Sequence, residues 1–189
     1  MRIAIIGNQC AGKTTLAEAY GAPIVKFAEP FYNVLRLFEK PKNRAFMQGL
    51  SDVAKECFGD EIFTELFAKK MEWRHQRFAD FWMCDDVRYL HEVKWLKANG
   101  WKLIFLYTET GVRRVRAAAL GLEFITNHPS EIQVPELVSH CDLWINNTSL
   151  SLQELKDTGK QLREVADLTG TLGTRGELPP VELVRISKG

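Results

Sequence analysis

The sequence predicts an α/β fold, in which a mainly parallel sheet of five strands is flanked by helices. Short apolar segments of strand length alternate with segments of helical period through residues 1–169. The first apolar segment, Ile3–Ile6, leads into Gly7-Asn-Gln-Cys-Ala-Gly12-Lys13-Thr14, which matches the pattern G-x-x-x-x-G-K-[ST] and opens a helical segment, Lys13–Tyr20. We therefore expect one domain over residues 1–169, with its ligands at the carboxyl ends of the strands.

The G-x-x-x-x-G-K-[ST] segment predicts a phosphate-binding loop. Gly7 and Gly12 allow backbone angles and close approaches that a Cβ atom would block, so that successive N–H groups can turn toward a phosphate. Lys13 adds a positive charge near the β- and γ-phosphates, and the Thr14 hydroxyl is the expected Mg²⁺ ligand. Because the dipole of the following helix favours the same anion, we expect a nucleoside triphosphate to bind here.

After a second short strand, Ile24–Phe27, the pattern is helical from about residue 29 to residue 78. Three helices between two strands exceed the usual single crossover, which predicts a helical insert beside the loop, where a second substrate could bind. Arg44 and Gln48 share a helix face suited to the phosphate and base edge of an acceptor, and Glu29 follows the second strand. The phenylalanines of the insert fit a helix core better than a base-stacking role.

The third predicted strand, Phe81–Cys84, ends at two acidic residues, Asp85 and Asp86. Either qualifies as a Mg²⁺ partner or as a carboxylate that orients an acceptor, and the alternative role is a helix N-cap. Since side chains alternate along a strand, the two carboxylates should point to opposite sides, and one of them can be only a cap. A helix over Tyr89–Asn99 follows.

The segment after the fourth strand, Trp101–Tyr107, is the expected lid, over residues 108–131. A short helix there carries Arg113, Arg114 and Arg116, of which the first and third share a face. Arginines in this arrangement suit a clamp on a transferring phosphoryl group, and the alternative is a solvated basic face.

The C-terminal part of the chain contains a last strand, a long helix and a tail. The strand is Leu143–Ile145, and Ser151-x-x-Glu154 is a capping box that begins the helix. Residues 170–189 are rich in Gly and Pro, which predicts a mobile tail, with an edge strand or oligomer contact at Val181–Ile186 as the alternative.

The composition narrows the class of protein. With 46% hydrophobic residues, 26% charged residues and a net charge of +1, it gives no support to membrane binding or to stable nucleic-acid binding. The four cysteines are widely spaced without a C-x-x-C pair, which argues against zinc or disulfides and suits a reducing, cytoplasmic location. The composition leaves the oligomeric state open, including a homodimer.

Several segments occur together in an order and spacing that is more specific than the loop alone. Besides the loop, they are Phe27-Ala-Glu29-Pro30, Arg44 with Gln48, Asp86-Val-Arg88-Tyr with Glu92, His128-Pro-Ser130-Glu131, and Asp142-Leu-Trp-Ile-Asn146. In these segments the chain, up to about Leu155, resembles the phage-type deoxynucleoside monophosphate kinases of the P-loop nucleoside monophosphate kinase group.

The resemblance implies transfer of the ATP γ-phosphoryl group, with Mg²⁺, to a deoxynucleoside 5′-monophosphate in nucleotide biosynthesis, in the host cytoplasm if the chain comes from a phage. By position it implies a nucleotide site at Gly7, Asn8, Ala11, Gly12, Lys13, Thr14 and Thr15, and an acceptor site at Glu29, Arg44, Gln48 and Arg88. Lys13, Asp86, Arg113 and Arg116 would be catalytic, with Thr14 and Asp86, or Asp85 instead, at the metal. The resemblance marks residues 128–131 without giving them a role.

Two other functions remain alternatives. One is a P-loop kinase with another acceptor, such as a polynucleotide 5′-hydroxyl or dephospho-coenzyme A. The other is a non-catalytic nucleotide-binding switch, although the sequence lacks the guanine-specific N-K-x-D element.

Overall fold

The computed structural model describes residues 1–41, 43–75 and 81–171, and these residues form five strands, nine α-helices and one 3-10 helix. The strands are β1 Arg2–Ile6, β2 Ile24–Val25, β3 Trp82–Val87, β4 Lys102–Tyr107 and β5 Leu143–Asn146. The helices are α1 Lys13–Tyr20, α2 Glu29–Leu37, α3 Arg44–Phe58, α4 Ile62–His75, α5 Leu90–Ala98, α6 Thr110–Ala119, α7 Pro129–Ile132, α8 Val134–Leu137 and α9 Leu152–Thr171, with the 3-10 helix at Val138–His140.

The strands form one sheet in the order β2-β3-β1-β4-β5. Strand β1 pairs in parallel with β3 and with β4, and β4 pairs in parallel with β5. Ile3 and Ile5 on one side of β1, and Ala4 and Ile6 on the other, are all fully buried. A parallel strand with helices on both faces has no solvent side, which explains the unbroken apolar run. The predicted mainly parallel α/β sheet is confirmed.

Helices α1 and α9 pack closely, and Gly159 lies at the contact. A Cβ atom built on Gly159 would lie 2.7 Å from the Ala19 Cβ atom and 2.9 Å from the Leu16 carbonyl oxygen. These distances are shorter than van der Waals contact, so the two helix backbones approach as closely as they do because residue 159 has no side chain. Because α1 begins at Lys13, at the end of the predicted phosphate-binding loop, its contact with α9 also supports that loop.

The chain divides into two compact units. One comprises residues 1–24 and 81–189, of which the structure describes those up to 171, and the other comprises residues 25–80. Within the second unit, the Phe27 and Phe67 rings stack with centroids 4.0 Å apart, and Phe31 packs on Phe63 at 4.6 Å. Phe31 is therefore a core residue of its own unit, as its helical period predicts, whereas the core position predicted for Phe46 is wrong, since Phe46 is 37% exposed.

Two strand ends differ from those predicted by more than one residue. Strand β2 ends at Val25 instead of Phe27, because Phe27 lies in the turn before α2 and its ring stacks on Phe67. Strand β3 continues through Asp85 and Asp86 to Val87 instead of ending at Cys84, because it stays paired with β1 up to the Ile6–Val87 position. The two acidic residues therefore lie within the strand.

The C-terminal boundary also differs. Helix α9 continues through Thr171, past the boundary predicted at residue 170. The Ser151–Glu154 capping box is confirmed, since the Ser151 N–H donates to the Glu154 carboxylate at 2.8 Å and the Glu154 N–H donates to the Ser151 hydroxyl at 3.2 Å. The predicted tail from residue 172 onward, including the edge strand at 181–186, lies outside the described residues.

Candidate active site

The loop from Gly7 to Lys13 needs both of its glycines for different reasons. A Cβ atom on Gly7 would lie 2.6 Å from the carbonyl oxygen of Leu106 in β4, so Gly7 is required for the close approach to that strand. Gly12 has a φ of 98° and is the N-cap of α1. Cys10 also has a positive φ, 60°, which is uncommon for a residue with a side chain. The loop is thus held in a conformation that its sequence does not adopt by local preference alone.

Two polar side chains from the ends of neighbouring strands hold the Ala11 carbonyl. The Asn147 amide nitrogen donates to the Ala11 oxygen at 2.8 Å, and the Thr108 hydroxyl donates to the same oxygen at 3.1 Å. Asn147 is fully buried and Thr108 is 4% exposed. Each follows its strand directly, β5 and β4 respectively, where functional side chains of parallel sheets lie. The position directly after a strand was the sequence signal for both residues, and Asn147 was not predicted from it.

The Lys13 ammonium lies inside the loop. It donates to the carbonyl oxygens of Gly7 at 2.6 Å and Asn8 at 2.8 Å, and the residue is 8% exposed. Burial, followed by the nearby Arg88 cation, lowers the pKa of Lys13 to about 7, although Glu131 and Asp85 act in the opposite direction. A buried ammonium near a second cation is poorly compensated, and an anion bound in the loop would restore its charge.

The Thr14 hydroxyl donates to the Asp85 carboxylate at 2.7 Å. Asp85 is 3% exposed, whereas Asp86, on the other side of β3, accepts a hydrogen bond from the Cys84 thiol at 3.3 Å. The structure therefore places Asp85, the predicted alternative, beside Thr14. A role for Asp86 at the metal stays a prediction.

The pair of Thr14 and Asp85 fits a magnesium ion that is bound mainly by phosphate and water. Both groups are oxygen donors, and Mg²⁺ in nucleotide sites commonly takes only one or two protein groups. The described part of the chain contains no group of three or more His, Cys, Asp or Glu side chains that could hold a metal on their own.

Arg88 is held at both its backbone and its guanidinium. Its N–H donates to the Glu92 carboxylate at 2.6 Å, and the Tyr89 N–H donates to the same oxygen at 3.0 Å. The guanidinium donates to the Glu131 carboxylate at 2.7 Å. Glu92 is 4% exposed, and burial raises its pKa to about 8, with Asp86 adding to the effect and the two N–H donors opposing it.

Glu131 connects Arg88 to the phosphate loop. Its carboxylate accepts from the Gln9 N–H at 2.9 Å and from the Asn8 amide at 3.1 Å. Burial acts to raise the pKa of Glu131, but Arg88 and these donors outweigh it, so that its pKa lies below the usual value. Sequence reasoning marked residues 128–131 only by family resemblance, because no local pattern reveals which distant loop a carboxylate will reach.

Two of the three arginines of α6 hydrogen-bond to nearby carbonyl oxygens. Arg113 is 7% exposed and donates to the carbonyl oxygen of Thr108 at 3.1 Å and to the Thr110 hydroxyl at 3.0 Å. Arg116 donates to the carbonyl oxygen of Asn147 at 3.0 Å. The guanidinium groups of Arg113 and the exposed Arg114 lie over the Phe124 ring, at 5.4 Å and 5.7 Å from its centroid. Arg113 and Arg116 therefore lie close to the residues that brace the loop.

The remaining predicted acceptor residues belong to the second unit. Glu29, at the start of α2, forms an ion pair with Lys70 of α4. Arg44 is the first residue of α3, and Gln48 is half-buried one turn later. The N-cap of α3 is Asn43, whose side chain accepts from the Phe46 N–H at 2.9 Å.

Solved structures share this architecture across nearly the whole chain. A shikimate kinase from Bacteroides thetaiotaomicron superposes with a TM-score of 0.54 at 19% identity, covering 88% of this chain and 98% of its own. The chain has the P-loop kinase fold. A gluconokinase from Sinorhizobium meliloti (TM-score 0.51, 15% identity, 90% and 94% covered) and a shikimate kinase from Aquifex aeolicus (0.50, 15%, 92% and 100%) are also similar.

No protein-family model matches the sequence, and no curated protein matches it significantly. The similarity to the P-loop kinases is therefore one of fold, at identities below 20%. Among the described residues, no helix is both long enough and apolar enough to cross a membrane.

Proposed function

We propose that the chain is a kinase that transfers the γ-phosphoryl group of ATP, with Mg²⁺, to a deoxynucleoside 5′-monophosphate. The observation that carries the proposal is the braced loop, in which Lys13 lies buried between loop carbonyls and Thr14 contacts a strand carboxylate. A loop of this kind, followed directly by a helix N-terminus, is suited to a polyphosphate. The acceptor class rests on the family resemblance of the sequence.

In this proposal each part of the site has a distinct task. The loop N–H groups from Gly7 to Thr15, together with Lys13, bind the triphosphate, and Thr14 with Asp85 holds the Mg²⁺, which neutralises charge on the phosphates. Arg113 and Arg116 supply further positive charge, Arg88 does so where the acceptor phosphate meets the terminal phosphate of ATP, and Asp86 orients the metal or the acceptor. Glu29, Arg44 and Gln48 of the second unit contact the acceptor nucleotide.

Positioning and electrostatic stabilisation account for the chemistry. The accepting oxygen belongs to a phosphate that is already an anion, so no strong general base is needed. A hydroxyl acceptor would differ, because it must lose a proton during the reaction. That difference matters because the structurally similar proteins are named shikimate kinase and gluconokinase. A small hydroxylated acid or sugar acid is therefore the second candidate acceptor.

An ATP-to-ADP coupled assay with Mg²⁺ tests the proposal. The acceptors are the four deoxynucleoside monophosphates, their ribose forms, shikimate, gluconate and a 5′-hydroxyl oligonucleotide, each in a separate reaction. We expect strong stimulation by one or more deoxynucleoside monophosphates and none in the Lys13→Ala variant. Stimulation by shikimate or gluconate alone would mean that the acceptor is a hydroxylated acid and not a deoxynucleoside monophosphate. ATP binding without stimulation by any acceptor would favour a nucleotide-binding switch.

A further inference from the structure

A buried carboxylate outside the loop motif ties the loop to a second cation. The side chain of Glu131, 2% exposed, joins the Arg88 guanidinium through one oxygen and the Gln9 N–H and Asn8 amide through the other. These contacts bring together a residue after β3, two residues of the loop and a residue of α7. Such long-range bridging has no explanation in the local structure of α7, which is four residues long.

Arg88 and Lys13 are connected to the same loop residue. The Lys13 ammonium donates to the Asn8 carbonyl oxygen at 2.8 Å, and the Asn8 amide donates at 3.1 Å to the Glu131 carboxylate that holds Arg88. Two cations at one loop repel each other, so Arg88 needs an opposing anchor to stay there. Glu131 supplies that anchor at 2.7 Å, and Glu92 holds the Arg88 backbone at the other end.

We propose that Glu131 is a positioning residue, which ties the Arg88 guanidinium to the phosphate loop at Asn8 and Gln9, so that Arg88 contacts the terminal phosphate of the bound nucleotide. This inference rests on the proposed nucleotide site but not on the identity of the acceptor. An arginine that is fixed before the ligand arrives loses less freedom when it binds, which favours the bound phosphate.

The test compares nucleotides that differ only at the terminal phosphate. Affinities for ADP and for the non-hydrolysable imido analogue of ATP, both with Mg²⁺, are measured by calorimetry for the wild type, Glu131→Gln, Arg88→Met and the double variant. Gln keeps an oxygen that can accept from the Gln9 N–H but loses the charge that holds Arg88. Glu136→Gln is the matched control, since Glu136 is an exposed carboxylate in the neighbouring helix α8.

We expect Glu131→Gln to weaken binding of the ATP analogue by about 10-fold or more, the range of one charge-assisted hydrogen bond, while its ADP affinity changes by less than about 3-fold. Arg88→Met should lose a similar factor, and the double variant should lose no more than Arg88→Met alone. Glu136→Gln should bind both nucleotides as the wild type does.

Three results would overturn the inference. They are unchanged affinity of Glu131→Gln for the ATP analogue, equal losses for ADP and the analogue, and additive losses in the double variant. Equal losses would mean that Glu131 supports only the shape of the loop. Thermal unfolding of each variant, and Glu131→Asp as a variant that keeps the charge, separate misfolding from a loss of positioning. Failure of the kinase proposal is a different result: the wild type binds the nucleotides normally, but no acceptor gives turnover in the coupled assay.

Discussion

At the scale of single residues, the protonation of Lys13 should depend on whether a nucleotide is bound. Its pKa of about 7 means that much of it is neutral at pH 8. A bound triphosphate favours the charged form and raises this pKa, so binding at pH 8 should draw a proton from solution, whereas at pH 6 Lys13 is already charged.

Calorimetry measures that proton directly. Binding of Mg·ADP to the wild type at pH 8, repeated in buffers of different ionisation enthalpy, should show uptake of about one proton. The Lys13→Ala variant provides the comparison, and its residual binding should show no such uptake. Equal proton uptake by both proteins would mean that another group titrates.

Glu92 should make stability depend on pH in a defined window. Its folded pKa of about 8 lies above the ordinary value of 4.5, so the folded protein binds the proton more tightly than the unfolded chain does. Stability from this group is fully present below about pH 4.5 and is lost as the pH rises toward 8. Glu92→Gln, which keeps a neutral acceptor for the Arg88 and Tyr89 N–H groups, removes this loss.

The measurement is urea unfolding of the wild type and Glu92→Gln between pH 4.5 and pH 8.5. We expect the variant to gain on the wild type as the pH rises, by roughly 3 to 5 kcal/mol across the window. Glu136→Gln, at an exposed site, should follow the wild type throughout. A constant difference between Glu92→Gln and the wild type would contradict the assigned pKa.

At the scale of elements, the contact between α1 and α9 depends on one missing side chain. Gly159→Ala places a methyl group 2.7 Å from the Ala19 Cβ atom, and backbone atoms on α1 leave little room for it to move. We expect a loss of about 1 to 3 kcal/mol in the free energy of unfolding, although alanine is the better helix former.

Gly49→Ala in α3 is the matched control for Gly159→Ala. A Cβ atom there meets nothing within 4 Å, so the substitution should stabilise by about 0.5 to 1 kcal/mol through helix propensity alone. Chemical unfolding of both variants distinguishes the two effects. If Gly159→Ala is as stable as the wild type, the helices can separate without loss.

Elements with a strong local signal could be predicted, whereas those set by distant contacts could not. Helix α1 begins and ends where the motif and Gly21 predict, at Lys13 and Tyr20. Helices α7 and α8 were not predicted, since each has four residues and too few positions to show a period. Strand β3 was predicted too short because its two acidic residues suggest a strand end, and only pairing with β1 keeps them in the sheet.

The same distinction applies to the residues of the site: those with a local signal could be predicted, and those set by distant contacts could not. The loop pattern identified Lys13 and Thr14 because their spacing is fixed by the chain itself. The choice between Asp85 and Asp86 depends on which face of β3 meets α1, which alternation alone leaves open. Asn147 and Glu131 reach the loop from more than 100 residues away in the sequence, and such contacts appear only once the sheet is assembled.

At the scale of the whole molecule, ligand binding should raise the temperature of unfolding. A ligand that binds only the folded state at 100 times its Kd adds about 2.7 kcal/mol. For a chain of 189 residues this corresponds to a rise in Tm of roughly 5 to 10 °C. Mg·ADP should produce this shift in the wild type, and an equal concentration of inorganic phosphate should produce a much smaller one. Absence of a shift at saturating Mg·ADP would argue against a nucleotide site in the folded chain.

The paired donors on the Ala11 carbonyl also act on the next atom of the backbone. A trans peptide is a rigid plate, and its C=O and N–H bonds point in opposite directions. When Thr108 and Asn147 draw the Ala11 oxygen toward the ends of β4 and β5, they turn the Gly12 hydrogen the other way. Thr108 and Asn147 therefore orient the Gly12 N–H group through the Ala11 peptide. Loss of the Asn147 amide would misdirect that N–H group, although residue 147 lies outside the loop motif.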